Sequence, residues 1–261
     1  PEWGVLDRPE GPADDRLPLV GVLFYRAHHT SGNVQFAHDL ADAIDATGRA
    51  RGVVIHCASL RGASEDLLAE LGTLDALVVT VLAAGGTKPA TVSAGGEDEA
   101  WDVGALAALD IPILQALCLT WSREDWAESD DGVSPLDSAT QIAVPEFDGR
   151  IITVPFSFKE LDADGLPRYV TDPERCRRVA GIAVAHARLR HVPPPQRRIA
   201  IMLSAYPTKH SRVATPSVST PRCRRSTCCA LYAMPDTTSA TDFPAWTSRT
   251  TPKPVTPSST P

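Results

Sequence analysis

The sequence predicts an α/β fold: a mostly parallel sheet flanked by helices, followed by a Ser/Thr/Pro-rich tail expected to be disordered. Three observations carry this. Apolar runs of strand length recur at 19–25, 53–57, 75–82 and 111–117. Segments with helical periodicity and short connections lie between them, the pattern of a parallel sheet covered on both faces with right-handed crossovers. After Val213 the composition changes, and about half of residues 214–261 are Ser, Thr or Pro. A flavodoxin-like, doubly wound strand order suits the first four strands.

Residues 1–17, rich in Pro, Gly and Asp, read as a linker, and 18–213 as the α/β domain. The run LVGVLFY at 19–25 is β-branched and aromatic, as a buried strand requires. Over 34–47, Phe36, Leu40, Ala43 and Ile44 recur at helical spacing and Gly48 closes the helix. A second strand occupies 53–57, and a short helix over 64–71 has Ser64 as its cap. The third strand, 75–82, runs into a loop over 83–96 containing Gly85, Gly86, Gly95 and Gly96. A helix over 97–109 leads to the fourth strand. Short helices are expected at 120–128 and 134–142. Residues 143–155 read as strand, turn, strand, with Asp148-Gly149 as the tight turn. Asp172 then caps a helix over 173–190 with Pro173 at its first position; Val179, Ile182, Ala183, Val184 and Ala187 form its apolar face. Residues 197–204 (RRIAIMLS) read as a fifth strand opening into 205–212.

Composition narrows the function. Hydrophobic content of 43% and charged content of 22% fit a soluble globular protein. A formal net charge of −7 argues against a nucleic-acid partner. The longest apolar stretch, 76–84, is too short to span a bilayer. The acidic first residues have no basic or apolar signal region, which predicts a cytoplasmic protein. The missing initiator Met predicts a piece of something longer. Cys57, Cys118 and Cys176 sit in apolar or helical runs and read as reduced, buried thiols; no Cys pair has zinc spacing.

In open parallel sheets ligands bind beyond the carboxyl ends of the strands. The loops at 26–33, 83–97, 118–122 and 205–212 would share that rim. They bring His28, His29, the four loop glycines, Glu97, Lys209 and His210. Such a rim suits a flat or anionic ligand approached by backbone N–H groups. Each element also has a structural reading. The histidines can cap the following helix, the Gly-rich loop matches neither a P-loop nor GxGxxG, and Lys209 can be a solvated charge. Glu146, between Pro145 and Phe147, is either paired with an arginine or held partly desolvated for proton or metal work. Asp148 belongs to the turn. Trp101, Trp121 and Trp126 read as packing residues.

Five stretches say more. In order, GVLFYRAHHTSGN, TVLAAGGTKPA, SAGGEDEAWDVGALAALDIPILQALCLT, SPLDSATQIAVPEFDGRIITVPFSFKE and IMLSAYPTKHSRV resemble the CobN/magnesium chelatase H subunit family over about residues 17–213. The resemblance implies a piece of a much longer subunit that binds a tetrapyrrole and the metal, while separate AAA+ motor subunits hydrolyse ATP. In the cobalt branch the reaction is insertion of Co²⁺ into hydrogenobyrinic acid a,c-diamide for aerobic cobalamin synthesis. His28 matches a histidine of both branches (RSHIVTG in the magnesium branch), and His29 belongs to the cobalt-like pattern. Glu146 matches the glutamate of PELDG, thought to serve metal insertion. The resemblance thus implies Glu146 as metal relay or base and His28 as ligand or proton carrier, with His29 a further ligand. Gly85, Gly86, Gly95, Gly96 and Lys209 fall to tetrapyrrole binding.

The tail departs from the resemblance. The family continues after SRV with GNAVGLDTP. GC-rich codons for that string, read one base out of phase, give ATPSVSTPR, which is what residues 214–222 contain. A shifted reading frame after Val213 is therefore expected. It leaves Cys223, Cys228 and Cys229 without a functional role, and this chain alone without chelatase activity.

Overall fold

The computed structural model describes residues 1–8, 17–81 and 104–198. The expected strand over 197–204, apart from its first two residues, and the tail lie outside them. In chain order the elements begin with β1 (Trp3–Asp7), β2 (Leu19–Tyr25), α1 (Arg26–Thr30), α2 (Gln35–Asp45) and β3 (Arg51–Cys57). Next come α3 (Glu65–Leu71), β4 (Ala76–Val79), α4 (Gly104–Ala107) and β5 (Ile113–Leu119). Then follow α5 (Arg123–Glu128), α6 (Pro135–Asp137), a π-helical turn (Ser138–Ala143) and α7 (Val144–Phe147). β6 (Ile151–Leu161), β7 (Pro167–Thr171) and α8 (Pro173–Leu189) complete the first unit, Pro1–His191. The described start of the second unit, Val192–Pro261, holds a 3₁₀ turn at Pro194–Gln196.

Among the described residues seven strands form one sheet, in the order β1-β3-β2-β4-β5-β6-β7. The five inner strands are parallel, and both edges are antiparallel. Numbered by themselves, the parallel strands run 2-1-3-4-5, the flavodoxin-like order. Alternate side chains feed two cores, as the period of two demands. Val20, Val22 and Phe24 join α2 and α8 on one face. Leu23, Val53 and Ile55 join Leu67 and Leu71 of α3 on the other. Helix α2 lies so close to β3 that a side chain at Gly52 would meet Ala41 at 2.8 Å, which is why glycine stands there.

Two expectations are corrected. Trp3–Asp7, read as linker, is an edge strand pairing antiparallel with β3. Residues 143–147, read as strand, are helical, and only the turn at Asp148-Gly149 and the strand after it stand as expected. Pro145 suits the first turn of a helix, where its missing N–H costs nothing.

The expected caps are present. Ser64 accepts from Leu67 N at 3.3 Å. Asp172 accepts from Glu174 N at 3.0 Å, from Arg175 N at 3.2 Å and from Arg123 Nε at 2.8 Å. Burial raises the Asp172 pKa, but these hydrogen bonds outweigh it and hold the carboxyl below its usual value. A depressed carboxyl contributes stability above its unfolded pKa and loses it as pH falls through the folded one. Asp172→Ala is therefore expected to cost about 1–2 kcal/mol at neutral pH. In urea unfolding, the gap between wild type and variant should narrow as pH falls below about 4.

Candidate functional site

Strand order reverses between β2 and β4, and the crevice beyond such a switch point is where ligands bind in this topology. Two segments reach the sheet's edge there: α1 after β2, and Thr80-Val81 after β4.

Helix α1 is a single turn closed by backbone bonds from Ser31 N and Asn33 N to the carbonyls of Ala27 and His28, with Gly32 at φ +71° reversing the chain. Consecutive residues on a helix point about 100° apart, so His28 and His29 diverge. His28 is half-buried, edge-on to Phe36 at 5.5 Å and to Tyr169 at 5.4 Å. It faces a cleft of about 500 Å³ bounded by Asn33, Lys159, Arg168 and Tyr169. Asn33 pins that wall by accepting from Tyr169 N at 3.1 Å. Burial lowers the His28 pKa, which leaves the imidazole neutral and able to donate its lone pair at pH 7. The same burial raises the Tyr169 hydroxyl to about 12.

His29 turns the other way. It lies flat on His56, ring centroids 4.6 Å apart and planes 13° from parallel. Both line a second cleft, also of about 500 Å³, with Tyr25 and Arg26. His56 is buried in β3, and its Nδ1 has no hydrogen-bond partner among the described residues. Burial first, then the neighbouring His29, the amino terminus at Pro1 and Arg26, lower its pKa.

Glu146 stands apart from both. It is exposed on α7 and borders neither histidine cleft. Neither reading of Glu146, paired with an arginine or held partly desolvated, describes it; the buried carboxylate at this turn is Asp148. Its side chain meets Arg150 Nη2 at 2.7 Å, and both side chains are fully buried. Arg150 Nη1 also donates to Val81 O and to Gln115 Oε1, each at 2.7 Å. Strand register explains the reach. β6 begins opposite Leu114 and Gln115, which pair with Val78 and Val79 at the carboxyl end of β4. The stagger sets the start of β6 level with the exit of β4, so the turn after Glu146 is tied to the root of the Gly-rich loop.

The end of β5 is held by a second buried network. Asp137 accepts from Thr120 N at 3.1 Å, Thr120 Oγ1 at 2.9 Å, Ser134 Oγ at 3.0 Å and Gln141 Nε2 at 2.8 Å. Gln141 reads the Cys118 backbone twice, accepting from N at 2.8 Å and donating to O at 2.7 Å. Gln141 sits in the π-helical turn, a feature frequent at functional sites. Cys57, Cys118 and Cys176 are free and buried, as expected. Burial pushes Cys57 up to about 11 and Cys176 to about 12, far from a reactive thiolate. Trp126 packs on Phe158, with Arg123 and Arg175 over its ring.

Among the described residues no three His, Cys, Asp or Glu side chains converge as a metal site. Gly85, Gly86, Gly95, Gly96, Glu97, Trp101, Lys209 and His210 lie outside them. No described helix is long and apolar enough to cross a membrane.

Residues 3–231 match the family model CobN/Magnesium Chelatase. The chain belongs to this family. The match runs past Val213, where the change of composition falls. Among curated relatives, the aerobic cobaltochelatase subunit CobN of Pseudomonas aeruginosa is 32% identical over 75% of this chain and 16% of its own length. CobN of Sinorhizobium sp is 34% identical over 75% and 15%. The magnesium-chelatase subunit ChlH of Oryza sativa subsp. indica is 25% identical over 77% and 14%. The solved catalytic subunit of cobaltochelatase from Mycobacterium tuberculosis is 55% identical, with a TM-score of 0.78, covering 88% of this chain and 19% of that one. The chain thus spans less than a fifth of the length of these relatives.

Within the family fold, His56, Tyr169 and the Asp148–Arg150 pair are the site features that sequence reasoning missed. His56 is one polar residue in the buried run RGVVIHC, next to the strand's carboxyl end. That position was the signal available.

Proposed function

We propose that this chain is part of the large, tetrapyrrole- and metal-binding subunit of an ATP-dependent cobaltochelatase. The substrate is hydrogenobyrinic acid a,c-diamide, the inserted ion is Co²⁺, and AAA+ partner subunits hydrolyse ATP, all in the cytoplasm. The observation that carries this reading is the 55% identity to the Mycobacterium tuberculosis cobaltochelatase catalytic subunit. The lower identity to the magnesium-chelatase subunit supports cobalt over magnesium.

The residue types suit the chemistry, although Glu146 borders neither histidine cleft and would act from a separate place on the macrocycle. Insertion requires a ligand that passes the ion on and a base that takes the ring N–H proton the ion displaces. A neutral imidazole at His28 provides the first, and an exposed carboxylate at Glu146 the second. His29, Gly85, Gly86, Gly95, Gly96 and Lys209 complete the proposed contacts to metal and macrocycle.

The test is complementation. The full-length subunit containing this segment should restore cobalt insertion to a strain lacking its own large subunit, and the present chain should not. Restoration by a subunit unable to insert metal in vitro would instead favour a non-catalytic tetrapyrrole-binding module. Preferential insertion of Mg²⁺ would move the reading to the magnesium-chelatase branch. We also infer a shifted reading frame after Val213; nucleotide sequence showing no single-base offset from a family frame would refute it.

A further inference from the structure

The cleft between α1 and β3 is lined by Arg26, His29 and His56, with Pro1, Tyr25 and Thr30, and among the described residues by no carboxylate. Arg26 and His29 stand three residues apart on α1, so both reach the same side. Arg26 is exposed; its hydrogen bond among the described residues is to the Pro1 carbonyl at 3.4 Å, and no described acidic side chain pairs with it. The contrast with the neighbouring cleft is informative. There Arg168 gives its charge to Asp162 at 2.7 Å. His29 is held in place by the flat stack on buried His56, in the cleft that Arg26 also lines. An imidazole stacked on a buried ring and a guanidinium lining the same cleft, with no described carboxylate among its walls, make a receptor for a single carboxylate.

We propose that this cleft is a subsite for a peripheral carboxylate of the tetrapyrrole, bound by Arg26 and His29 with His56 as the floor. It rests on the chelatase reading and deepens it. His29 is then assigned to the rim of the macrocycle rather than to the metal, since its ring diverges from that of His28. The subsite discriminates acid from amide: a carboxylate accepts two charge-assisted hydrogen bonds, while a carboxamide loses the charge and replaces one acceptor oxygen by an NH₂ donor.

The test uses this chain and two probes, uroporphyrin and its per-amidated derivative, with affinity read from porphyrin fluorescence. Wild type should favour the acid, and Arg26→Gln should reduce the acid-to-amide affinity ratio about tenfold or more. His29→Gln should reduce it less, and Arg26→Lys should retain part of it. Arg26 is exposed, so an unchanged urea midpoint shows the variant folded. An acid-to-amide ratio near one in wild type, or one unmoved by Arg26→Gln, overturns the subsite. So does absence of acid binding to this chain. Either result leaves the complementation experiment above to decide the chelatase reading separately.

Discussion

In the full-length subunit, Glu146→Gln is expected to lower cobalt insertion at least about a hundredfold, the contribution typical of a positioned general base. Tetrapyrrole binding should remain measurable. The substitution keeps size and removes only the charge, and Glu146 is exposed on a short helix, so a folding defect does not account for the loss. His28→Ala should also abolish turnover, but it additionally strips a ring from the cluster with Phe36 and Tyr169. His28→Phe keeps that packing while removing the lone pair, so it should be inactive yet folded. The measurement is the change in tetrapyrrole absorbance on metal entry, with motor subunits and ATP present. Unchanged turnover in Glu146→Gln or His28→Phe would remove the corresponding role.

The second large effect is on stability. Arg150→Ala is expected to cost about 3–5 kcal/mol in urea unfolding of this chain, because it strands a fully buried carboxylate at Asp148. It also leaves the Val81 carbonyl and Gln115 without their donor. Replacing both partners by apolar side chains, Asp148→Leu with Arg150→Met, should recover most of that loss, since no charge is then left buried. A double variant no better than Arg150→Ala would show that the contacts to Val81 and Gln115, not the ion pair, dominate.

The central strands were legible because each is an apolar run bounded by turn residues, and α8 because Asp172-Pro173 marks its start. β1 was not: WGVLD is short, lies among Pro, Glu and Asp, and becomes a strand only through its partner β3. Residues 143–147 misled because five residues show no period, and AVPEF reads as either state. That error placed Glu146 in an apolar strand and hid the buried carboxylate two residues on. The rim histidines were visible as a pair, but their divergence was not, because it depends on α1 adopting a helical turn. His56 and Tyr169 reach His29 and His28 from distant segments, and no local pattern announces such contacts. The frame was readable from periodicity; the neighbours of each functional side chain were set by long-range pairing.

The β5–β6 ladder slips twice, between Gln115 and Leu117 and again between Leu117 and Cys118, so β6 carries residues with no opposite number. That surplus length sits just before the ribbon that delivers Tyr169 to Asn33, 136 positions earlier in the chain. During synthesis, His28 is therefore made early but roofed late. Phe36 is at hand soon after, but the Tyr169 side of its surroundings comes only with the second ribbon strand. The half-buried state of His28 therefore depends on a contact that spans most of the described chain, the kind that loop-closure entropy makes slow to form.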